Sequence, residues 1–137
     1  MTTPAQLRKP ASPDALEEAF GLLGGRAKRD VSLAQYTTYR VGGSAALHMH
    51  ITTIDDLYAV SSMLAQVDLP LLVIGRGSNL LVADSGFSGL ALTMGGVADY
   101  VDLPDRSHDP DVEPIALFGG SIALPVAARQ SVARGLK

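Results

Sequence analysis

The stretch Leu71-Leu72-Val73-Ile74-Gly75-Arg76-Gly77-Ser78-Asn79-Leu80-Leu81-Val82, continuing through Asp84-Ser85-Gly86-Phe87-Ser88-Gly89 to Leu90–Met94, decides how this chain is read. The apolar run 71–74 has no polar alternation, which predicts a strand covered on both faces. A glycine-rich loop follows at once. Gly75 and Gly77 permit tight turning and let another group approach the backbone. Ser78 and Asn79 add a hydroxyl and an amide, and successive N–H groups in such a loop form a nest for anions. The same string reads equally as a glycine turn with a Ser/Asn cap, and the loop alone does not separate the two. Leu80–Val82 predicts a further strand. Residues 84–89 read as turns around Phe87, and Leu90–Met94 as another strand. Two familiar phosphate loops are excluded. No Gly-x-x-x-x-Gly-Lys-Ser/Thr string exists. Leu80 stands where a dinucleotide fingerprint needs its third glycine, and a strand follows instead of a helix.

Working outward towards the N-terminus, Ala45–Ile51 alternates Leu47, Met49 and Ile51 with Ala46, His48 and His50, the pattern of a strand with one apolar and one polar face. Thr53 can cap a helix from Ile54 that carries Asp55 and Asp56 in its first turn. Leu57, Val60, Leu64 and Val67 form its apolar stripe, and Pro70 ends the segment. Strand, helix, strand and glycine loop make a βαβ-like opening. Further back, Ser12-Pro13-Asp14 is a helix start, followed by Leu16, Phe20 and Leu23 and stopped by Gly24-Gly25. Residues 1–12 read as a mobile lead-in. Arg26, Lys28 and Arg29 read as a solvated turn and not as a binding patch.

Towards the C-terminus, 100–103 and 115–118 predict paired strands around a polar loop, 104–112. After Gly119-Gly120-Ser121 a helix is expected from Leu124 to Arg134, with Val126 and Val132 as packing positions and Gly135 as its stop. A parallel-type opening followed by antiparallel strands predicts the α+β class and not a doubly wound sheet.

Composition narrows the function. The 137 residues are 47% hydrophobic and 18% charged, with a formal net charge of -3. This is no disordered charged tail, and without a basic excess nucleic acid is not an expected partner. The absence of cysteine excludes disulfides, thiolate nucleophiles and Cys-ligated metals. No apolar run is long enough to span a bilayer and the N-terminus lacks a signal-peptide pattern, so the expectation is a cytoplasmic protein without a membrane partner. His48 and His50, two apart, have the spacing of a metal pair, but without a third ligand nearby they read as a surface strand. The loop with His108 lacks the glycine and terminal glutamate of a calcium loop and reads as a solvated hairpin. Ser78 and Ser121 have no adjacent base, so no hydrolase triad is expected. Tyr39 and Arg40 are equally readable as ligand contacts or as loop packing.

Three motifs carry a family resemblance. Val73–Val82 followed by Asp84-x-Gly86-Phe87-x-Gly89 resembles the pyrophosphate-loop region of the UDP-N-acetylenolpyruvoylglucosamine reductases, also called UDP-N-acetylmuramate dehydrogenases. Tyr36-Thr37-Thr38-Tyr39-Arg40-Val41-Gly42-Gly43-Ser44-Ala45 is similar to that family's entry motif, Asn-Thr-aromatic-x-x-Gly-Gly-x-Ala. Gly119-Gly120-Ser121 with Leu124-Pro125 resembles the small-residue loop and helix start that come next. The three stand in family order and cover about residues 30–137.

The resemblance implies a non-covalent FAD in a domain of the vanillyl-alcohol-oxidase/PCMH type. It implies that NADPH reduces the flavin, and that the flavin passes a hydride to the enolpyruvyl double bond of a UDP-sugar while a serine supplies a proton. The product would be UDP-N-acetylmuramate, for peptidoglycan synthesis. By motif position Gly75, Arg76, Gly77, Ser78, Asn79 and Leu80 would hold the FAD pyrophosphate, and Gly42, Gly43, Gly119, Gly120 and Ser121 would approach the same cofactor. No metal is implied. The family continues into a Pro-Gly-Ser-x-Gly-Gly motif and a substrate domain bearing the catalytic serine, arginine and glutamate. None of these is in this sequence. The expectation is therefore a lead-in with a short helix over 1–29, the N-terminal part of the FAD domain over 30–137, incomplete at its C-terminus, and no catalytic residue. Other readings are a non-catalytic nucleotide-binding module, or another flavin oxidase of the superfamily. The lack of a His or Cys near 75–79 for covalent flavin attachment weighs against the latter.

Overall fold

The computed structural model describes residues 9–104 and 115–136. Most of the lead-in, and the polar loop from residue 105 with His108, lie outside the described residues. The class is α+β. Helix α1 (Pro13–Leu23) begins where Ser12 Oγ accepts the Ala15 N–H at 3.2 Å, and ends at Gly24. Strand β1 (Ala27–Ser32) follows, then β2 (Ser44–Ile51), helix α2 (Ile54–Leu64), β3 (Leu71–Ile74) and β4 (Phe87–Met94). These strands form one sheet in the order β1-β2-β4-β3. Strands β2, β4 and β3 run parallel, and β1 is antiparallel to β2. A small antiparallel pair, β5 (Val101–Asp102) and β6 (Leu117–Phe118), precedes helix α3 (Leu124–Ala133).

Each face of the sheet has its own core. Leu47, Met49 and Ile51 of β2 and Leu90 and Leu92 of β4 pack against Ala19 and Leu23 of α1 and Val60 and Met63 of α2. Val67, just beyond α2, is buried in the same cluster. The opposite face gathers Ala45, Ile74 and Ala91 under Leu33 and Val82. The β2–β4 pairing shifts register between Ala45 and Leu47, where Ala45 stands opposite Phe87 and Leu47 opposite Leu90, so the extra residue lies in β4. Strand β2 contributes to both cores, with Ala45 in the second and Leu47, Met49 and Ile51 in the first. Helix α2 is fixed at its start by a reciprocal cap. Asp56 accepts the N–H groups of Thr52 and Thr53, each at 3.0 Å, while Thr53 Oγ1 accepts the Asp56 N–H at 3.2 Å.

Four expectations are corrected. Lys28 and Arg29 lie on strand β1, not in a turn, and only Arg26 belongs to a 3-10 turn, Gly24–Arg26. Local charge hides this strand because β1 is a sheet edge, where charged side chains are favoured. Strand β3 is not covered on both faces. It is the other edge, and Val73 is 57% exposed. Leu80–Val82 is not a strand. It belongs to the loop 75–86, which carries the chain from β3 to the parallel β4. Val82 is apolar because this crossover lies on the second core. Helix α3 forms, but none of its residues is buried, and Val132 is 70% exposed.

Candidate functional site

The carboxyl ends of parallel strands are where open sheets hold ligands, because loops there diverge and leave a crevice. A cavity of about 460 Å³ lies at those ends here. His50 from β2, Thr93 and Met94 from β4, and Gly75 and Arg76 after β3 line it. The segment between β1 and β2 closes it with Gln35, Tyr36, Thr37, Thr38 and Arg40. Arg40 is one of two non-glycine residues with a left-handed backbone among those described, at φ 53°. Such a conformation costs free energy and persists where the surroundings hold it. Of the pair left open by the sequence, Arg40 lines the cavity, whereas Tyr39 is outside the lining and exposed.

The entry motif and the crossover loop lie backbone to backbone. The Thr38 N–H donates to the Gly77 carbonyl at 3.1 Å, and the Gly43 N–H to the Ala83 carbonyl at 2.9 Å. Gly77 has φ 62°, and a Cβ there would run into the Tyr36 carbonyl. A Cβ on Gly42 or Gly43 would strike the backbone of 82–86. These glycines are required by the chain's own close approach, and none of the three needs a ligand to explain it. The third motif joins the same place. A Cβ on Gly75 would lie 3.1 Å from the Gly120 carbonyl. Ser121 donates its N–H to Ala98 and its hydroxyl to the Met94 carbonyl, each at 3.0 Å, and the space beside Gly119 is filled by Ala98. Gly120 differs, since a Cβ there meets nothing within 4 Å. The structure thus brings the three motifs to one end of the sheet. Gly75 and Arg76 line the cavity, Ser78 and Asn79 are exposed beside it, and the Leu80 side chain packs into the second core.

The donor set suits an oxyanion. Among the described residues, the N–H groups of Arg76, Gly77, Ser78 and Asn79 donate to no protein acceptor, and the Ser78 and Asn79 side chains make no hydrogen bond. The Arg76 and Arg40 guanidiniums add two positive charges at the cavity wall. These residues fit a diphosphate group: unused amides on a glycine turn, two cations, and free space beside Gly120.

The histidines differ from expectation. His48 is not a surface residue but only 4% exposed. Its ring stacks on Tyr36 at a centroid distance of 4.8 Å. Thr93 Oγ1 bridges His48 Nε2 at 3.0 Å and His50 Nδ1 at 2.9 Å. Burial holds the His48 pKa below its ordinary value, and the nearby His50 and Lys28 push it the same way. No third ligand joins the two histidines in a metal group among the described residues. Sequence reading missed Thr93 as a site residue. The polar face of β2 pointed to His50, but only strand pairing places Thr93 beside it.

Curated relatives are similar to this chain over part of their length. The chain is 35% identical over 104 residues to a UDP-N-acetylenolpyruvoylglucosamine reductase of Syntrophotalea carbinolica, over 76% of this chain and 32% of the relative. It is 45% identical over 92 residues to the enzyme of that name from Thermobifida fusca, over 67% and 25% respectively. It is 47% identical over 64 residues to the one from Synechocystis, over 47% and 20%. The chain belongs to the UDP-N-acetylenolpyruvoylglucosamine reductase family. No protein-family model matches it. The chain spans about a third or less of the length of these reductases. Among the described residues, no helix of this reductase-family chain is long and apolar enough to cross a membrane.

Proposed function

We propose that this chain holds the diphosphate of a non-covalently bound FAD in a UDP-N-acetylenolpyruvoylglucosamine reductase, within a domain of the vanillyl-alcohol-oxidase/PCMH type. The observation that carries this reading is the meeting of three separate motifs at one end of the sheet, two of them lining its cavity, with unused amides on Arg76–Asn79. When bound, the flavin supplies hydride transfer from NADPH to the enolpyruvyl double bond of the UDP-sugar, as the resemblance implies. The chain's own residues bind and orient. The loop amides donate to phosphate oxygens, with Ser78 and Asn79 as further donors and Arg76 and Arg40 as counter-charges. Gly42, Gly43 and Gly77 set the loop's position, while Gly120 and Ser121 bound the far side. No residue of this chain is assigned to proton transfer. The reduction, and its place in cytoplasmic peptidoglycan synthesis, are proposed for the complete enzyme, and the chain alone is proposed to be inactive.

The test is a flavin titration of the purified chain followed by fluorescence quenching. Saturable binding is expected, weakened about tenfold in Asn79→Ala and in Arg76→Ala, the usual loss for a charge-assisted hydrogen bond. A folded wild-type chain that quenches no flavin overturns the proposal.

A further inference from the structure

A second cavity, of about 350 Å³, opens beside the first and shares Tyr36 and His50 with it. Its remaining walls are Arg26, Lys28 and His48. Four of its five lining residues carry nitrogen bases and none is a carboxylate. Lys28 stands directly opposite His48 in the β1–β2 pairing. Among the described residues Lys28 has no ion-pair partner. Arg26 meets Asp56 only through Nε, at 3.5 Å. Both Asp56 oxygens have other claims or a long contact: Oδ2 is committed to the Thr52 and Thr53 amides, and Oδ1 makes the contact with Arg26. An assembly of this kind, with no acid in its walls, is complementary to an anion.

The imidazoles are set for this by Thr93. One hydroxyl hydrogen cannot serve both rings, so Thr93 donates to one nitrogen and accepts an N–H from the other. His48 is the buried ring, and burial together with the nearby His50 and Lys28 holds its pKa below the ordinary value. Thr93 engages His50 at Nδ1, so His50 Nε2 is the nitrogen outside this bridge. The groups that face this pair are Lys28 from β1, Arg26 from the preceding turn, Tyr36 and Arg40 from the 35–40 segment, and Arg76 after β3.

We propose that this cavity is an anion site for a phosphoryl group, held by Lys28, Arg26 and His50 and separate from the glycine loop at 75–79. Inorganic phosphate is the probe, titrated at constant ionic strength while the ring signals of His48 and His50 are followed by NMR. Saturable shifts of both rings are expected, with binding about tenfold weaker in Lys28→Gln and restored in Lys28→Arg. Lys28 is exposed on the edge strand, so the Gln variant is expected to keep the wild-type melting temperature. Flavin quenching by Lys28→Gln is expected to match wild type, which keeps this inference distinct from the cofactor proposal. Two results would overturn it: ring shifts that chloride reproduces at equal concentration, or phosphate binding that Lys28→Gln leaves intact and Arg76→Ala removes.

Discussion

At the residue scale, two buried or capped groups set how this molecule responds to acid. Asp56 is held down to about 2, first by the Thr52 N–H and then by the Thr53 N–H. Its pKa is depressed in the folded state, so its contribution is complete above the ordinary carboxylate range and is lost as pH falls from about 4 towards about 2. Asp56→Ala is expected to cost about 1–2 kcal/mol at neutral pH, with the difference from wild type shrinking over that window in denaturant melts. His48 acts at higher pH. Its folded value lies below 6.5, so the unfolded chain binds the extra proton and stability falls as pH drops below about 6.5. His48→Gln should flatten that first step and leave the later one, which melting curves between pH 7 and 3 would resolve. A variant that retains both steps removes His48 as the cause. The glycines give a parallel contrast. Gly77→Ala forces a Cβ onto the Tyr36 carbonyl at a left-handed φ and should cost about 2 kcal/mol or more. Gly120→Ala meets open space and should stay within about 0.5 kcal/mol.

At the element scale, helix α1 belongs to the core. Its cap, its Pro13 start and its Gly24 stop are all local, and they place Ala19 and Leu23 under the sheet. Leu23→Ala is therefore expected to cost about 2–5 kcal/mol, while Leu22→Ala, on the exposed side, should cost little. Equal effects in chemical denaturation would place α1 outside the cooperative unit. The elements legible in the sequence were α1, α2, β2 and β4, which have a strong period or a cap, together with α3 and the β5–β6 pair, which glycines and a polar loop mark off. Those misread were governed by position in the sheet. Strand β1 is too charged to announce itself, and Leu80–Val82 is apolar because it crosses the sheet, not because it pairs within it. Strand β3 reads as a buried central strand, yet β4 takes the place beside β2 and leaves β3 at the edge.

At the scale of the whole molecule, stability is distributed unevenly. The four-stranded sheet has a core on each face, whereas β5, β6 and α3 bury little, and Leu124 at the start of α3 is 80% exposed. Amide hydrogen exchange should show slow opening in β2 and β4, close to the global unfolding free energy, and much faster exchange throughout α3. Uniform protection would mean that α3 shares the main cooperative unit. The candidate site stands on the rigid part, at the ends of the parallel strands, with the Gly119–Ser121 loop tied to it through Ala98 and Met94.

Local chemistry alone determined the α+β class, the helix caps, the two-faced β2 strand and the candidate anion loop, because each depends on residues only a few positions apart. The motifs also carried the family, which the curated relatives then showed. Tertiary structure decided what spacing cannot encode. It determined which strands lie at the edge and which glycines are used up by the chain's own backbone. It brought Thr93 between two histidines more than 40 residues away. It also drew Arg26 and Lys28 from an apparent solvated turn into the wall of a cavity. The physical reason is that strand register and crossover paths are set by burying the whole apolar surface at once, and no single segment contains that sum.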